Sequence, residues 1–171
     1  DQPSIGQTFV AGANIPIEVT LYDQFDNVCT NDDTTNIGIA IGNNGGSPAI
    51  GTLSGTSPVT VTNGVAVFTD LSIDKIGTGY NLDASSGTLT DITSNDFNIE
   101  ADAPDYMAFT NEPTDTTAGQ TISAPTGVQV TLYDTYGNIC DNDSTSSVDL
   151  SLNATSVGFT GTLPKIVSSG V

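Results

Sequence analysis

The pentapeptide Val19-Thr20-Leu21-Tyr22-Asp23 occurs again, letter for letter, as Val130-Thr131-Leu132-Tyr133-Asp134, 111 residues further along the chain. The match continues at the same separation, because Asp26-Asn27-Val28-Cys29 corresponds to Gly137-Asn138-Ile139-Cys140. A third segment, Gly51-Thr52-Leu53, returns as Gly161-Thr162-Leu163 after 110 residues. A fixed period of this length indicates tandem copies of one folding module. The 171 residues therefore hold about one and a half copies.

The residues within each copy alternate between apolar and polar, as in strands that bury one face. Asn63-Gly64 separates two such runs and is typical of a two-residue type I′ hairpin. Helical periodicity is absent throughout. We predict an all-β fold of tandem immunoglobulin-like, seven-stranded antiparallel β-sandwiches, with Tyr80 in the structural position of a tyrosine corner. The main predicted strand positions are Ile17-Val19-Leu21, Ile37-Ile39-Ile41 with its match Val148-Leu150-Leu152, Val59–Thr62, Val65–Phe68, Tyr80-Leu82-Ala84 and Phe97-Ile99.

The alignment of the copies predicts two modules, residues 1–101 and residues 102–171. Asp1-Gln2-Pro3 aligns with Asn111-Glu112-Pro113, so the first module is expected to lack the strand that Tyr106–Phe109 forms in the second. Val171 aligns near Val65, so the second module is expected to be truncated before its C-terminal strands. An open sheet edge favours pairing with another chain. We therefore expect either flanking sequence, or strands from like chains, to complete the modules.

The charge composition excludes several classes of function. The chain has 20 acidic residues, two lysines, no arginine and no histidine, which gives a net charge of −18. Without histidine it has no Ser-His-Asp or Cys-His pair, and without a basic patch nucleic acid is not an expected partner. No apolar run is long enough for membrane insertion. Acidic residues in short polar turns stay ionised, so we predict that the chain is not an enzyme.

Clustered acidic residues are the strongest candidates for a binding site. In a sandwich, the strand order brings the loop from Asp134 to Asp143, the linker and the loop from Asp70 to Asp74 to one module junction. Calcium takes six to eight oxygen ligands, so we predict a calcium ion that stiffens this junction. Three alternatives stay open: turn formation in solvated loops, Lys75 acting as a counter-charge, and screening by salt. The predicted ligands are Asp74, Glu100, Asp102, Asp105, Asp134, Asn138, Asp141 and Asp143.

Cys29 and Cys140 occupy equivalent positions in the two copies. Tandem modules place equivalent atoms on the order of 30 Å apart, whereas a disulfide needs Cα atoms within about 7 Å. We predict buried free thiols that act as small apolar side chains, with disulfides to neighbouring chains as the alternative. Asn142-Asp143-Ser144 and Asn153-Ala154-Thr155 are glycosylation sequons, which have meaning only in a suitable host.

Several motifs together suggest a family. The sequence resembles immunoglobulin-like repeats of very large bacterial surface proteins, similar in layout to invasin-type and filamin-like repeats. The resemblance implies spacers or adhesive stalks without catalytic residues. One departure is that cysteine stands at positions 29 and 140, where such repeats have an apolar residue. The motifs are Gly51–Thr56, Asn63–Lys75, Gly77–Tyr80, Phe109–Pro113 and Val130–Asn138.

The function expected from these patterns is structural. We predict a repeat module of a large extracellular or cell-surface protein that acts as a stalk, adhesin shaft or filament subunit. Its expected partners are neighbouring modules or like chains, through strand complementation. The abundance of serine and threonine with only two lysines favours the extracellular location. The alternative is a ligand- or carbohydrate-binding accessory module of a secreted enzyme. Because the chain has no tryptophan, its aromatic platform would be Tyr22, Phe25, Tyr133 and Tyr136.

Overall fold

The computed structural model describes residues 1–87, 89–123, 125–151 and 165–170. Over these residues the chain is all-β, with short strands and no helix. The described part of the chain accordingly offers no helix long and apolar enough to cross a membrane. The chain divides into two compact units, Asp1–Glu100 and Ala101–Val171.

The strands of the first unit are β1 Gln7–Val10, β2 Ile17–Thr20, β3 Asn36–Ile41, β4 Leu53–Ser54, β5 Val59–Thr60, β6 Val65–Phe68, β7 Ser72–Ile73, β8 Gly77–Tyr80, β9 Leu82–Ser85, β10 Ile92–Thr93 and β11 Phe97–Glu100. The strands described in the second unit are β12 Tyr106–Asn111, β13 Gln129–Tyr133, β14 Ser147–Val148 and β15 Lys165–Ile166.

The strands of the first unit form several small sheets. One has four strands in the order β10-β9-β3-β5, another has three in the order β1-β11-β8, and β2-β6 and β4-β7 form pairs. Only Asn81 separates β8 from β9, so one stretch of chain passes directly from one sheet to another. Side chains from β2, β3, β6, β8, β9 and β11 meet in one buried cluster. The fold of this unit is therefore all-β and sandwich-like.

The burial pattern confirms the predicted alternation. In β2 the side chains of Ile17 and Val19 are buried and that of Glu18 is exposed, and in β11 Phe97 and Ile99 are buried. Phe97 contacts two further aromatic rings, with its centroid 5.7 Å from that of Phe9 and 6.0 Å from that of Tyr80. Because strand side chains alternate between faces, one apolar residue in two is enough to build this core.

The Asn63-Gly64 turn has the predicted conformation. Both residues have positive φ, 52° and 79°, as a type I′ turn requires. Thr62 and Val65 exchange backbone hydrogen bonds of 2.8 and 3.1 Å across it. The two strands then separate, because β5 pairs with β3 while β6 pairs with β2. The expected hairpin is thus correct at its turn, but its two strands belong to different sheets.

The sequence pattern does not predict β1. This strand runs parallel to β11, with Gln7 opposite Phe97 and Val10 opposite Glu100. The corresponding Gly119-Gln120-Thr121 of the second unit forms no strand. Strand formation at this segment therefore depends on a partner such as β11, which periodicity within the segment itself cannot show.

The second unit contains two strand pairs among its described residues. β12 pairs with β13 and β14 pairs with β15, both antiparallel. Of the predicted third strand, Ser147–Val148 is observed as β14. Leu152, the sequon residue Asn153, the repeated segment Gly161–Leu163 and Val171 lie outside the described residues.

Tyr80 has the structural role predicted for it. Its side chain is fully buried, and its hydroxyl donates a 3.0 Å hydrogen bond to the backbone carbonyl of Lys75, five residues upstream. Burial, together with the negative charge of Asp74, raises the pKa of the Tyr80 hydroxyl. This hydroxyl therefore stays protonated and serves as a donor to the backbone.

Removing only this hydroxyl is expected to weaken the first unit. A Tyr80→Phe variant leaves the Lys75 carbonyl without this donor, at a cost of about 1 kcal/mol in the free energy of unfolding. Urea denaturation measures the difference. Tyr22→Phe is the control, because the Tyr22 side chain is 60% exposed. Equal stability of the two variants would contradict the role assigned to Tyr80.

Candidate functional site

The acidic loop of the second unit is organised around the buried carboxylate of Asp134. Its Oδ1 accepts hydrogen bonds from the backbone N–H groups of Tyr136, at 2.9 Å, and Asn138, at 2.8 Å. Its Oδ2 accepts from the Asn138 side-chain amide, at 2.8 Å, and from the Asp102 N–H, at 3.2 Å. Four donors thus surround a side chain that is 0% exposed. They compensate its negative charge within the unit.

The first unit repeats this turn at the surface. Asp23 Oδ1 accepts from the N–H groups of Phe25, at 2.8 Å, and Asn27, at 2.9 Å. The Asn27 side-chain amide lies 3.1 Å from Asp23 Oδ2. These bonds, led by the one from the Asn27 backbone, lower the pKa of Asp23. The repeat therefore conserves the turn itself while the exposure of its central carboxylate differs.

A second carboxylate-centred turn follows in each unit. Asp32 accepts from the N–H groups of Thr34 and Thr35, at 2.9 and 3.0 Å, and from the Thr35 hydroxyl, at 2.6 Å. Hydrogen bonding, chiefly from that hydroxyl, lowers the pKa of Asp32 to about 2. Asp143 is its match 111 residues later. Hydrogen bonds from the Ser146 side chain and from the backbone of Thr145 and Ser146 lower its pKa to about 2 as well.

These depressed pKa values predict a loss of stability in acid. Asp32 and Asp143 release their protons near pH 2 in the fold, against an ordinary value of 3.8. The unfolded chain therefore binds more protons between these limits. The ionised turns stabilise the fold fully above about pH 4, and this contribution disappears as the pH falls toward about 2.

An asparagine substitution tests this pH dependence. Asn at position 32 or 143 keeps a side-chain oxygen but carries no charge, as a protonated aspartate does. We expect the variants to unfold at lower urea concentration than the wild type at pH 6, and at a similar one near pH 2. Asp91→Asn corrects for the general effect of removing one exposed negative charge. A deficit that stays constant with pH would contradict the assignment.

Cys140 lies next to the Asp134 turn. Its thiol is fully buried and approaches the backbone carbonyl oxygen of Asp102, at 3.4 Å. Burial raises its pKa to about 11, and the charges of Asp134, Asp143, Asp102 and Asp141 contribute in that order. Because the thiolate is the reactive form of cysteine, this thiol is unreactive at neutral pH. Cys29 is half-buried, and both cysteines are free, as predicted.

The structure distributes the eight predicted ligands over two units. Asp74 and Glu100 belong to the first unit, and the other six belong to the second. Hydrogen bonds bring Asp102, Asp134 and Asn138 together. Asp105 and Asp141 are exposed, and Asp143 is half-buried in its own turn. Asp74 accepts a 2.6 Å hydrogen bond from the Thr52 N–H.

These contacts limit what the cluster can offer a cation. Asp134 would have to give up N–H donors to coordinate an ion, and Asn138 already donates its amide to Asp134. Within residues 1–87, 89–123, 125–151 and 165–170, no three carboxylate or thiol groups are arranged to hold a metal ion. Calcium binding stays a prediction. Titration calorimetry tests it, and the absence of heat with calcium chloride would contradict it.

One feature of this site was missed by sequence reasoning. The patterns Asp-x-x-x-Asn at Asp23 and Asp134, and Asp-x-Thr at Asp32 and Asp143, occur once in each copy. Such short side chains bind N–H groups a few residues ahead of them, which marks a self-contained turn. The spacing was therefore a signal of internal hydrogen bonding as well as of acidity. The part played by the Asp102 N–H had no signal, because it depends on tertiary structure.

Comparison of the chain with protein-family models, curated proteins and solved structures finds no match.

Proposed function

We propose that the chain is a non-catalytic structural repeat module of a large extracellular or cell-surface protein, built from tandem immunoglobulin-like sandwiches. The observation that carries this proposal is the repetition of local structure. In both units a strand with the sequence Val-Thr-Leu-Tyr leads into an aspartate-centred turn with the same backbone donors. Repetition of this kind suits a rod, stalk or filament in which each copy supports the next.

The use made of polar groups in the described residues agrees with a passive role. The carboxylates of Asp23, Asp32, Asp134 and Asp143 accept hydrogen bonds from their own turns. A catalytic carboxylate typically needs an environment that moves its pKa toward the working pH, whereas the pKa values of Asp32 and Asp143 are lowered to about 2. These side chains stabilise turns and keep the surface strongly negative, which favours solubility.

Surface proteolysis tests the proposal. Antibodies are raised against the recombinant chain, and intact source cells are treated with protease. We expect the antibodies to detect a polypeptide larger than the 17.5 kDa of this chain, and we expect protease to remove it without lysis. A protein that is protected until the cells are broken would contradict the surface location.

One observation favours the alternative of a ligand-binding accessory module. Tyr22 is 60% exposed and Phe25 is 74% exposed, and both lie at the first aspartate turn. Exposed aromatic rings can stack on sugars or other flat apolar faces. A glycan array probed with the chain, with Tyr22→Ala as control, distinguishes the two functions. Binding that Tyr22→Ala abolishes would favour the accessory module over the structural repeat.

A further inference from the structure

The repeat presents the same strand edge in two different states. In the second unit β13 carries β12 on this edge, with Met107 opposite Leu132, Ala108 opposite Thr131 and Phe109 opposite Val130. In the first unit β2, its sequence match, pairs with β6 on one side. Among the described residues, only Asp1 hydrogen-bonds to the backbone of its other side, through Glu18.

The two edges correspond in orientation. The Leu21 N–H donates to the Gly64 carbonyl, and the matching Leu132 N–H donates to the Gly170 carbonyl, each at 2.8 Å. Because backbone groups alternate in direction along an antiparallel strand, the Thr20 and Tyr22 amides point away from β6. They correspond to the Thr131 and Tyr133 amides, which point toward β12.

Side-chain exposure shows the same difference. The ring of Tyr133 is half-buried and stacks on Tyr106 of β12, with centroids 5.1 Å apart. Its match Tyr22 is 60% exposed. A strand with the sequence of β12, placed on β2 in the same register, would bring an equivalent tyrosine to Tyr22.

A groove of about 480 Å³ runs beside this open edge. Val19 lines it from β2, and Ile39, Leu82 and Ala84 line it from the facing strands, with Ile92 of β10, 55% exposed, at its rim. Directly opposite residues of a strand pair share a face, so Met107 and Phe109 of an added strand would lie on the face of Leu21 and Val19. Both are exposed in this chain, by 61% and 45%.

From these observations we propose that the open edge of β2 is a strand-acceptor site whose occupant is β12 of a second copy of this chain. The added strand is antiparallel, with Tyr106 opposite Tyr22 and Phe109 opposite Val19. Transfer of β12 from its own β13 to a neighbour's β2 exchanges one ladder for an equivalent one and buries Met107 and Phe109 in the groove. The net driving force is therefore hydrophobic. The inference rests on the proposed structural role and names its partner.

Sedimentation velocity of the full chain at physiological ionic strength tests this site. We expect association that increases with protein concentration. Ile92→Lys places a charge at the groove and should weaken association about tenfold or more, or about 1.4 kcal/mol. Ile50→Lys is the matched control, because Ile50 is 77% exposed, does not line the groove and undergoes the same charge change. We expect it to associate like the wild type.

A synthetic peptide of residues 104–113 provides the second measurement. In excess, it should occupy β2 and return the chain to monomers. The proposal is overturned by a chain that stays monomeric at every concentration, by equal effects of Ile92→Lys and Ile50→Lys, or by association that the peptide leaves unchanged. Peptide binding to a chain that never self-associates would likewise exclude a second copy as the occupant. A monomeric chain whose parent protein lies at the cell surface would remove this inference alone.

Discussion

Replacement of Gly77 by alanine is expected to cause the largest loss of stability in the first unit. Gly77 forms an antiparallel bridge with Gly46. A methyl group on Gly77 would overlap the carbonyl oxygen of Gly45 and lie 2.8 Å from the Cα of Gly46. Because backbone atoms on both sides cannot move independently, the two segments must separate. We expect a cost of about 3 kcal/mol in the free energy of unfolding.

Urea denaturation of the two variants provides the measurement. Gly38→Ala is the matched control, because Gly38 also lies in a strand but its added methyl would meet Ser85 only at 3.7 Å, an ordinary contact. Relief of glycine's excess backbone entropy should leave this control as stable as the wild type or slightly more stable. Similar stability of Gly77→Ala and Gly38→Ala would contradict the close approach of the Gly45 and Gly77 segments.

The second large effect is expected at Asp134. An alanine there leaves three backbone N–H groups, those of Asp102, Tyr136 and Asn138, without their carboxylate acceptor. Unsatisfied buried donors cost about 1 to 3 kcal/mol each, so we expect the second unit to lose about 3 kcal/mol or more. Hydrogen exchange of residues 128–140, measured by mass spectrometry, reports this unit separately.

The repeat supplies the control for this substitution. Asp23→Ala removes the matching carboxylate from an exposed turn, where water can replace the lost acceptor. We expect a clearly smaller increase in exchange in the first unit than Asp134→Ala causes in the second. Equal effects of the two substitutions would mean that burial of Asp134 does not determine its importance.

Local features were predictable from the sequence where the determinants are local. The alternation of Ile17 and Val19 with Glu18 indicates a one-sided strand, and Asn63-Gly64 indicates a type I′ turn. Tyr80 was predictable because its position after Gly77-Thr78-Gly79 matches a known structural corner. Each depends on a few adjacent residues.

Features that depend on distant partners were not predictable. Strand β1 exists because β11 lies beside it, and the strands flanking Asn63-Gly64 separate because β3 and β2 pair with them. The two copies of the aspartate turn have nearly the same sequence, yet Asp134 is buried and Asp23 is exposed. Part of that difference comes from the Asp102 N–H, which approaches from the linker segment.

Hydrogen exchange at the two matching strands most directly tests whether one repeat edge is open and the other paired. At low protein concentration, the segment 17–22 should exchange faster than the segment 128–133, because the Thr20 and Tyr22 amides have no strand to pair with among the described residues. The peptide of residues 104–113, added in excess, should slow exchange in 17–22. Equal protection of both segments before the peptide is added would contradict the open edge.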